Sequence, residues 1–247
     1  MKKIISSIFM VAVLLFMVSC EKETEGISHI TYFADFDFQG ESVILHTMGT
    51  PYTDPSVTAS ESGNPLEVMV SVTSEMNGYK GNAVQSDVAD KYTITYSAVN
   101  SDGYPGSITR TVFVVPPSGD FVTSIAGMYT ASVQREPEFK ATAQYTDLEY
   151  IYIVKTGDNT FEISDAIGGY YYIGRGYGFD YAAQGSVITV NNMSTNDFTV
   201  TGSTIPGFGN TVEVTDFKVD AATKQITFTG TGDFANGAFH IQLQLVE

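Results

Sequence analysis

The sequence predicts an all-β protein in two parts, and three observations carry that reading. No long segment repeats its apolar residues every 3.6 positions, whereas apolar and polar residues alternate over many short runs. The chain holds 15 Tyr and 16 Phe, with frequent Gly and Thr and only 12 Lys plus Arg, a composition suited to strands and turns. Near the middle, Pro116-Pro117-Ser118-Gly119-Asp120 interrupts the alternation with two residues that cannot donate to a sheet.

Residues 1–19 read as a removable export signal. Lys2 and Lys3 precede a predominantly apolar run, Ile4–Val18, that ends at Ser19-Cys20. The run is about 15 residues, short of the ~20 a membrane-spanning helix needs. This start resembles a type II lipoprotein signal peptide, with Met17 in place of the usual Leu before Val18-Ser19-Cys20. The resemblance implies lipidation at Cys20, the only cysteine, so no disulfide forms within the chain. Residues 20–28 follow as a tether. Its stretch Glu21-Lys22-Glu23-Thr24-Glu25 is similar to the tag that sends Bacteroidetes lipoproteins to the cell surface, which implies an outer-membrane, outward-facing location. The bland reading of the same residues is a solvated spacer.

Residues 29–116 form the first expected domain. Candidate strands are His29–Phe33, Leu66–Val72 and a hairpin, Tyr92–Val99 with Ser107–Val115, turning at Asn100-Ser101-Asp102-Gly103-Tyr104-Pro105-Gly106. The blocks Tyr52–Ala59, Lys91–Ala98 and Thr109–Val114 resemble bacterial immunoglobulin-like modules. That implies a β-sandwich in which the last two blocks are the closing strands. Ala89-Asp90 stands where such modules often have Pro-Gly. The resemblance speaks to fold and hardly at all to activity.

A linker at 117–120 leads to the second domain, 121–247. Short strands are expected near Gly127–Gln134, Tyr145–Lys155, Thr160–Ser164, Tyr170–Ile173, Val187–Asn191, Asp197–Thr201, Asn210–Val219, Gln225–Thr231 and Gly237–Val246. That number of antiparallel strands suggests a second sandwich or an up-and-down barrel. The stretch Ile163–Ala183 is similar to C-terminal domains of Bacteroides surface lipoproteins, many of which accompany polysaccharide capture and import. The resemblance implies that role.

The charge excludes one class of partner. With Lys2 and Lys3 removed, 10 basic residues face 28 acidic ones, about −18. Nucleic acid needs a basic face, and anionic headgroups repel such a chain, so the expected membrane link is the lipid alone.

The best candidate site is the cluster Tyr170, Tyr171, Tyr172, Arg175, Tyr177, Phe179 and Tyr181. Sugars stack their C–H faces on such rings, and Arg175 with Asp165 or Asp180 could bond their hydroxyls. The competing reading fills the core with these tyrosines and relaxes tight turns with the glycines. On a strand, three consecutive tyrosines face both sides, so one leaves the core. Other motifs are weaker. Gly174–Gly178 lacks the helix and Lys-Ser/Thr of a phosphate loop. Asp35–Glu41 has the spacing of a calcium-loop start without its later ligands, and reads equally as a strand with acids outward. His29, His46 and His240 have no zinc-like spacing. Asp147 and Glu149 are a carboxylate pair of the sort a glycosidase uses, but 28 acids make such pairs common.

The leading expectation is a non-catalytic surface lipoprotein that binds polysaccharide or oligosaccharide, without cofactor or metal. The alternative is a structural or assembly subunit that docks to an outer-membrane transporter or other surface protein. An extracellular hydrolase is the third class.

Overall fold

Alternation of apolar and polar residues becomes strand after strand in the computed structural model, which describes residues 30–135, 142–234 and 237–246. The signal segment, Cys20, the tether and His29 lie outside the described residues. The N-terminal strands are β1 Asp35–Phe38, β2 Val43–Thr47, β3 Val57–Glu61, β4 Asn64–Leu66, β5 Met69–Ser74, β6 Lys80–Gly81, β7 Asp90–Val99 and β8 Pro105–Val115. They make a three-stranded sheet, β1-β3-β4, and a five-stranded sheet, β2-β8-β7-β5-β6, in which only the β2–β8 pair is parallel.

The two sheets face each other over Val57, Val72, Tyr92, Ile94, Tyr96, Val112 and Val114, with Phe36 and Phe38 packed alongside. Every second residue of β7 points inward, so Tyr92, Ile94, Tyr96 and Ala98 are buried. A large side chain such as Ile94 contributes roughly 1.5–3 kcal/mol by leaving water, and Ala98 well under that.

The expected hairpin is β7–β8, but Pro105 and Gly106 belong to the strand rather than the turn, pairing with Val99 and Ala98. A proline is admissible there because it is the first residue of β8. Two other expectations shift. Ile30–Phe33 form no strand, and the first one begins at Asp35 with Phe36 and Phe38 half-buried and the two acids exposed. Leu66–Val72 does not run as one strand, because the chain leaves the first sheet after Leu66 and enters the second at Met69.

The C-terminal strands are β9 Gly127–Arg135, β10 Leu148–Lys155, β11 Thr160–Ile163, β12 Ser186–Asn192, β13 Asp197–Val200, β14 Ser203–Ile205, β15 Asn210–Asp220, β16 Gln225–Gly232 and β17 Ala238–Leu245. They form one antiparallel sheet in the order β13-β12-β11-β10-β9-β17-β16-β15-β14. Two up-and-down meanders thus join where the domain's first strand pairs with its last.

The sheet curls into a half-barrel. Its two halves approach through the rings of Phe198 and Phe217, 5.1 Å apart, and through the Val219 N–H, which donates to the Asn196 side chain at 2.6 Å. A bulge between Thr215 and Lys218 in β15 lets Phe217 join the core beside Phe228.

The Pro-Pro segment does not hold the two domains apart. Pro116 is buried, and Ala89, Met128 and Tyr152 form a shared apolar cluster with Met48, Met76, Val115 and Tyr150. A second bulge, between Glu149 and Ile151 of β10, sets Tyr150 outside the regular register. Its ring meets Phe113 of β8 edge-on at 5.2 Å. The Tyr172 hydroxyl donates to the Glu75 carboxylate at 2.8 Å across the same joint. We expect Tyr172→Phe to lower stability by about 1.5–3 kcal/mol, the usual worth of a hydrogen bond to a charged group. Urea melts followed by tyrosine circular dichroism measure it.

Candidate functional site

The segment between β11 and β12, residues 164–185, turns back into the concave face of the half-barrel. Asp165 organises it. The carboxylate is fully buried and accepts N–H groups from Ile167 (2.9 Å), Gly169 (3.0 Å) and Ala183 (2.9 Å), so it ties both ends of the segment together. Burial pushes its carboxyl up to about 7, against the pull of those three donors. Asp165 therefore does not reach a surface ligand, contrary to one sequence expectation. Asp180 is exposed.

Tyr170–Ile173 is not a strand. Tyr170–Gly174 is a single π-helical turn, closed by the Gly174 N–H donating to the Gly169 carbonyl at 2.9 Å. Gly168 and Gly169 make the turn possible, with φ of 63° and 81°. A side chain on Gly168 would also strike Ile241 and Val133 at 2.9 Å. The helical turn changes where the three tyrosines go. Strand geometry expels at least one, but Tyr170, Tyr171 and Tyr172 are all buried.

Tyr170 and Tyr171 cover the core beside Phe239, and the Arg135 guanidinium lies 4.7 Å from the Phe239 ring. Arg135 donates to the Tyr171 hydroxyl at 3.1 Å. Tyr145 stacks on Tyr170 with ring centres 4.1 Å apart. Arg175, exposed, donates to the Tyr145 hydroxyl at 3.2 Å and to the Tyr170 hydroxyl at 3.4 Å. Burial raises the pKa of Tyr170, but hydrogen bonds from Tyr145, Arg135 and Arg175 outweigh it and hold the hydroxyl below the ordinary tyrosine value.

The remaining predicted residues divide. Tyr177 is 49% exposed and lies parallel over Tyr171, with centres 6.2 Å apart. Tyr181 is half-buried and meets Tyr177 edge-on at 5.3 Å. Phe179 turns the other way, packs on Tyr172 at 5.3 Å and lines the joint between the domains.

One member escaped the sequence reading: Phe208, 45% exposed, sits 4.7 Å from Tyr181 and 5.0 Å from Tyr171. Its signal was Gly207-Phe208-Gly209, an aromatic in a turn where burial has no use for one. Gly207 lets Tyr181 approach, since a Cβ there would sit 2.8 Å from that ring. The result is an aromatic rim of Tyr177, Tyr181 and Phe208, backed by the buried Tyr171 and flanked by Arg175.

A cleft of about 480 Å³ opens at the joint, lined by residues including Met48, Met76, Asp87, Tyr152, Phe179 and Gln184. Tyr152 is buried there and presents no open ring face. Asp147 and Glu149 are both exposed at the start of β10. His46 bonds to Thr50, and His240 lies beside Thr229.

Comparison with known proteins follows the same division. A family described as the bacterial surface protein Ig-like domain matches residues 36–114. A second family, of C-terminal domains, matches residues 118–245, more than half of the chain. No curated protein matches the sequence. Among solved structures, the chain is similar to the lipoprotein BT2262 from Bacteroides thetaiotaomicron. The two are 26% identical with a TM-score of 0.58, over 86% of this chain and 100% of that one. The chain belongs to the family defined by this C-terminal domain, here preceded by a bacterial surface Ig-like domain.

Proposed function

We propose that the protein is a non-catalytic accessory lipoprotein of the outer membrane, held by lipid on Cys20, facing the cell exterior and binding a glycan on its aromatic rim. The observation that carries this reading is the grouping of Tyr177, Tyr181 and Phe208 beside Arg175. Two of the rings are nearly half open to water, although each could have been a small polar turn residue at no cost to the core. Ring faces with a guanidinium at their edge match a sugar's C–H face and hydroxyls. The strong negative charge of the chain favours neutral glycans over acidic ones.

The test is a glycan array followed by calorimetry on the soluble chain from residue 21. Phe208→Ala is expected to weaken binding about 5–10-fold, as loss of ~1–1.4 kcal/mol of ring contact requires. The triple change Tyr177→Ala/Tyr181→Ala/Phe208→Ala should abolish measurable binding. Flat signals from a correctly folded chain would overturn the sugar reading and leave a partner protein as the occupant of the rim. Binding that survives the triple change would move the site elsewhere.

A further inference from the structure

A second aromatic surface lies at the opposite end of the immunoglobulin-like domain. Ile30, Tyr32, Phe33 and Tyr104 are 68%, 55%, 67% and 54% exposed. They form one tip. The rings of Phe33 and Tyr104 are 6.3 Å apart. Asn100, buried in the β7–β8 turn, donates from its side chain to the Tyr32 carbonyl at 2.7 Å and accepts the Tyr104 N–H at 2.7 Å. The entering chain is thus clamped onto the hairpin turn, and four apolar side chains are held in water by a rigid support.

This tip is where the chain departs toward Cys20. Nine residues lie between Cys20 and Ile30, a reach of at most about 35 Å. The C-terminal domain packs at the far end of β8, against Phe113 and Val115, while Tyr104 precedes its first residue. An 11-residue strand is about 35 Å long. The aromatic tip is therefore the end of the immunoglobulin-like domain from which the chain leads to Cys20, and the C-terminal domain that carries the rim packs at the other end.

We propose that Ile30, Tyr32, Phe33 and Tyr104 form a membrane-docking tip that enters the headgroup layer of the bilayer holding the lipid anchor. Tyrosine rings, apolar in body and polar at the edge, favour that layer. Neither 30–41 nor 97–109 contains Lys or Arg, while Asp35, Glu61 and Asp102 stand close by. The surface that fits is accordingly zwitterionic. Docking adds a second contact to the lipid and gives the domain a fixed orientation on the surface. This inference rests on lipidation at Cys20 and is independent of glycan binding.

Hydrogen exchange on the full lipidated protein tests it. On phosphatidylethanolamine–phosphatidylcholine vesicles, amides of 30–34 and 99–105 should exchange at least about threefold more slowly than in the unlipidated Cys20→Ser chain in solution, with 206–209 unchanged. Tyr32→Ser/Phe33→Ser/Tyr104→Ser should remove that protection while the lipid and the melting transition persist. Adding phosphatidylglycerol should weaken it.

Unchanged exchange at the tip, in a chain shown by mass spectrometry to carry lipid, overturns docking alone. Absence of lipid on Cys20 overturns the anchor and docking together. Protection that appears in the Cys20→Ser chain as its concentration rises, without vesicles, assigns the tip to a second copy and also overturns the proposal.

Discussion

Asp165→Ala is expected to cost about 4 kcal/mol and to release the segment that fills the half-barrel. The change strips the partner from three buried N–H groups, those of Ile167, Gly169 and Ala183. Each orphaned donor costs roughly 1–3 kcal/mol, less whatever water recovers by entering. Loss of the tie should loosen the π-helical turn and with it the seating of Tyr170 and Tyr171, so any ligand affinity at the rim should fall together with stability. Asp165→Asn keeps an oxygen for part of the set and should cost less, about 1–2 kcal/mol.

The same carboxyl gives the protein a pH response of definite sign. Its folded pKa stands near 7, above the usual carboxylate value of 3.8. Between those limits the folded state keeps a proton that the unfolded chain has lost. Stability must therefore fall as pH rises through the window. Unfolding free energies from urea melts at pH 5 and pH 7.5 should differ by about 2–3 kcal/mol in the original chain and hardly at all in Asp165→Asn. Asp120, Asp220 and Asp233 are held below their ordinary values by hydrogen bonds. Their contribution is lost only as pH falls below about 4, outside this window.

Much of the fold could be read because strands announce themselves by alternation. Tyr92-Thr93-Ile94-Thr95-Tyr96 can bury one face only as a strand, and it does. The same rule failed at Tyr170-Tyr171-Tyr172, where nothing alternates. A run of β-favouring residues looks like a strand until two glycines ahead of it adopt left-handed backbone angles and close a helical turn. Those angles depend on Asp165 gathering donors from residue 167 and residue 183, a relation between distant positions that no local pattern carries. Phe208 joined the rim for the same reason: its neighbours are residues 171 and 181. The packing between domains was hidden as well. Pro116-Pro117 reads only as an interruption of the alternation leading into a linker, whereas the joint is made by Phe113, Tyr150 and a methionine cluster on other elements. Separately, an exposed rim and an exposed tip each look like surface hydrophobics of no account. With the tip at one end of the immunoglobulin-like domain and the domain that carries the rim packed at the other, they suggest one end for the membrane and one for the ligand.

Arg110→Met is expected to destabilise the immunoglobulin-like domain by about 3–5 kcal/mol, although it places an apolar residue in an apolar layer. Alternation puts Arg110 on the inner face of β8 with Ile108, Val112 and Val114, and it is fully buried there. Its guanidinium lies 4.4 Å from the Phe38 ring centre. It donates to the Tyr96 hydroxyl at 2.8 Å and the Glu41 carbonyl at 3.0 Å, and also bonds the Asp54 carboxylate and the Gln39 carbonyl. These contacts pin the loop from β1 to β2, and the segment before β3, onto the second sheet. Removing the cation leaves the partly exposed Asp54, still bonded by Tyr96, without its counter-charge and the Glu41 and Gln39 carbonyls without their donor, and the lost counter-charge supplies part of the cost. If so, Arg110→Met/Asp54→Asn should recover at least ~1 kcal/mol of the loss, because the amide needs no counter-charge. Arg110→Lys should recover little, since one ammonium on a flexible stem cannot serve four acceptors in different directions. A double change no better than Arg110→Met alone would mean that the loop carbonyls, not the ion pair, set the cost. Because β1 leads directly from Ile30–Ala34, loosening it should also free the aromatic tip. Exchange at 30–34 in the soluble Arg110→Met chain should then rise well before the C-terminal domain melts.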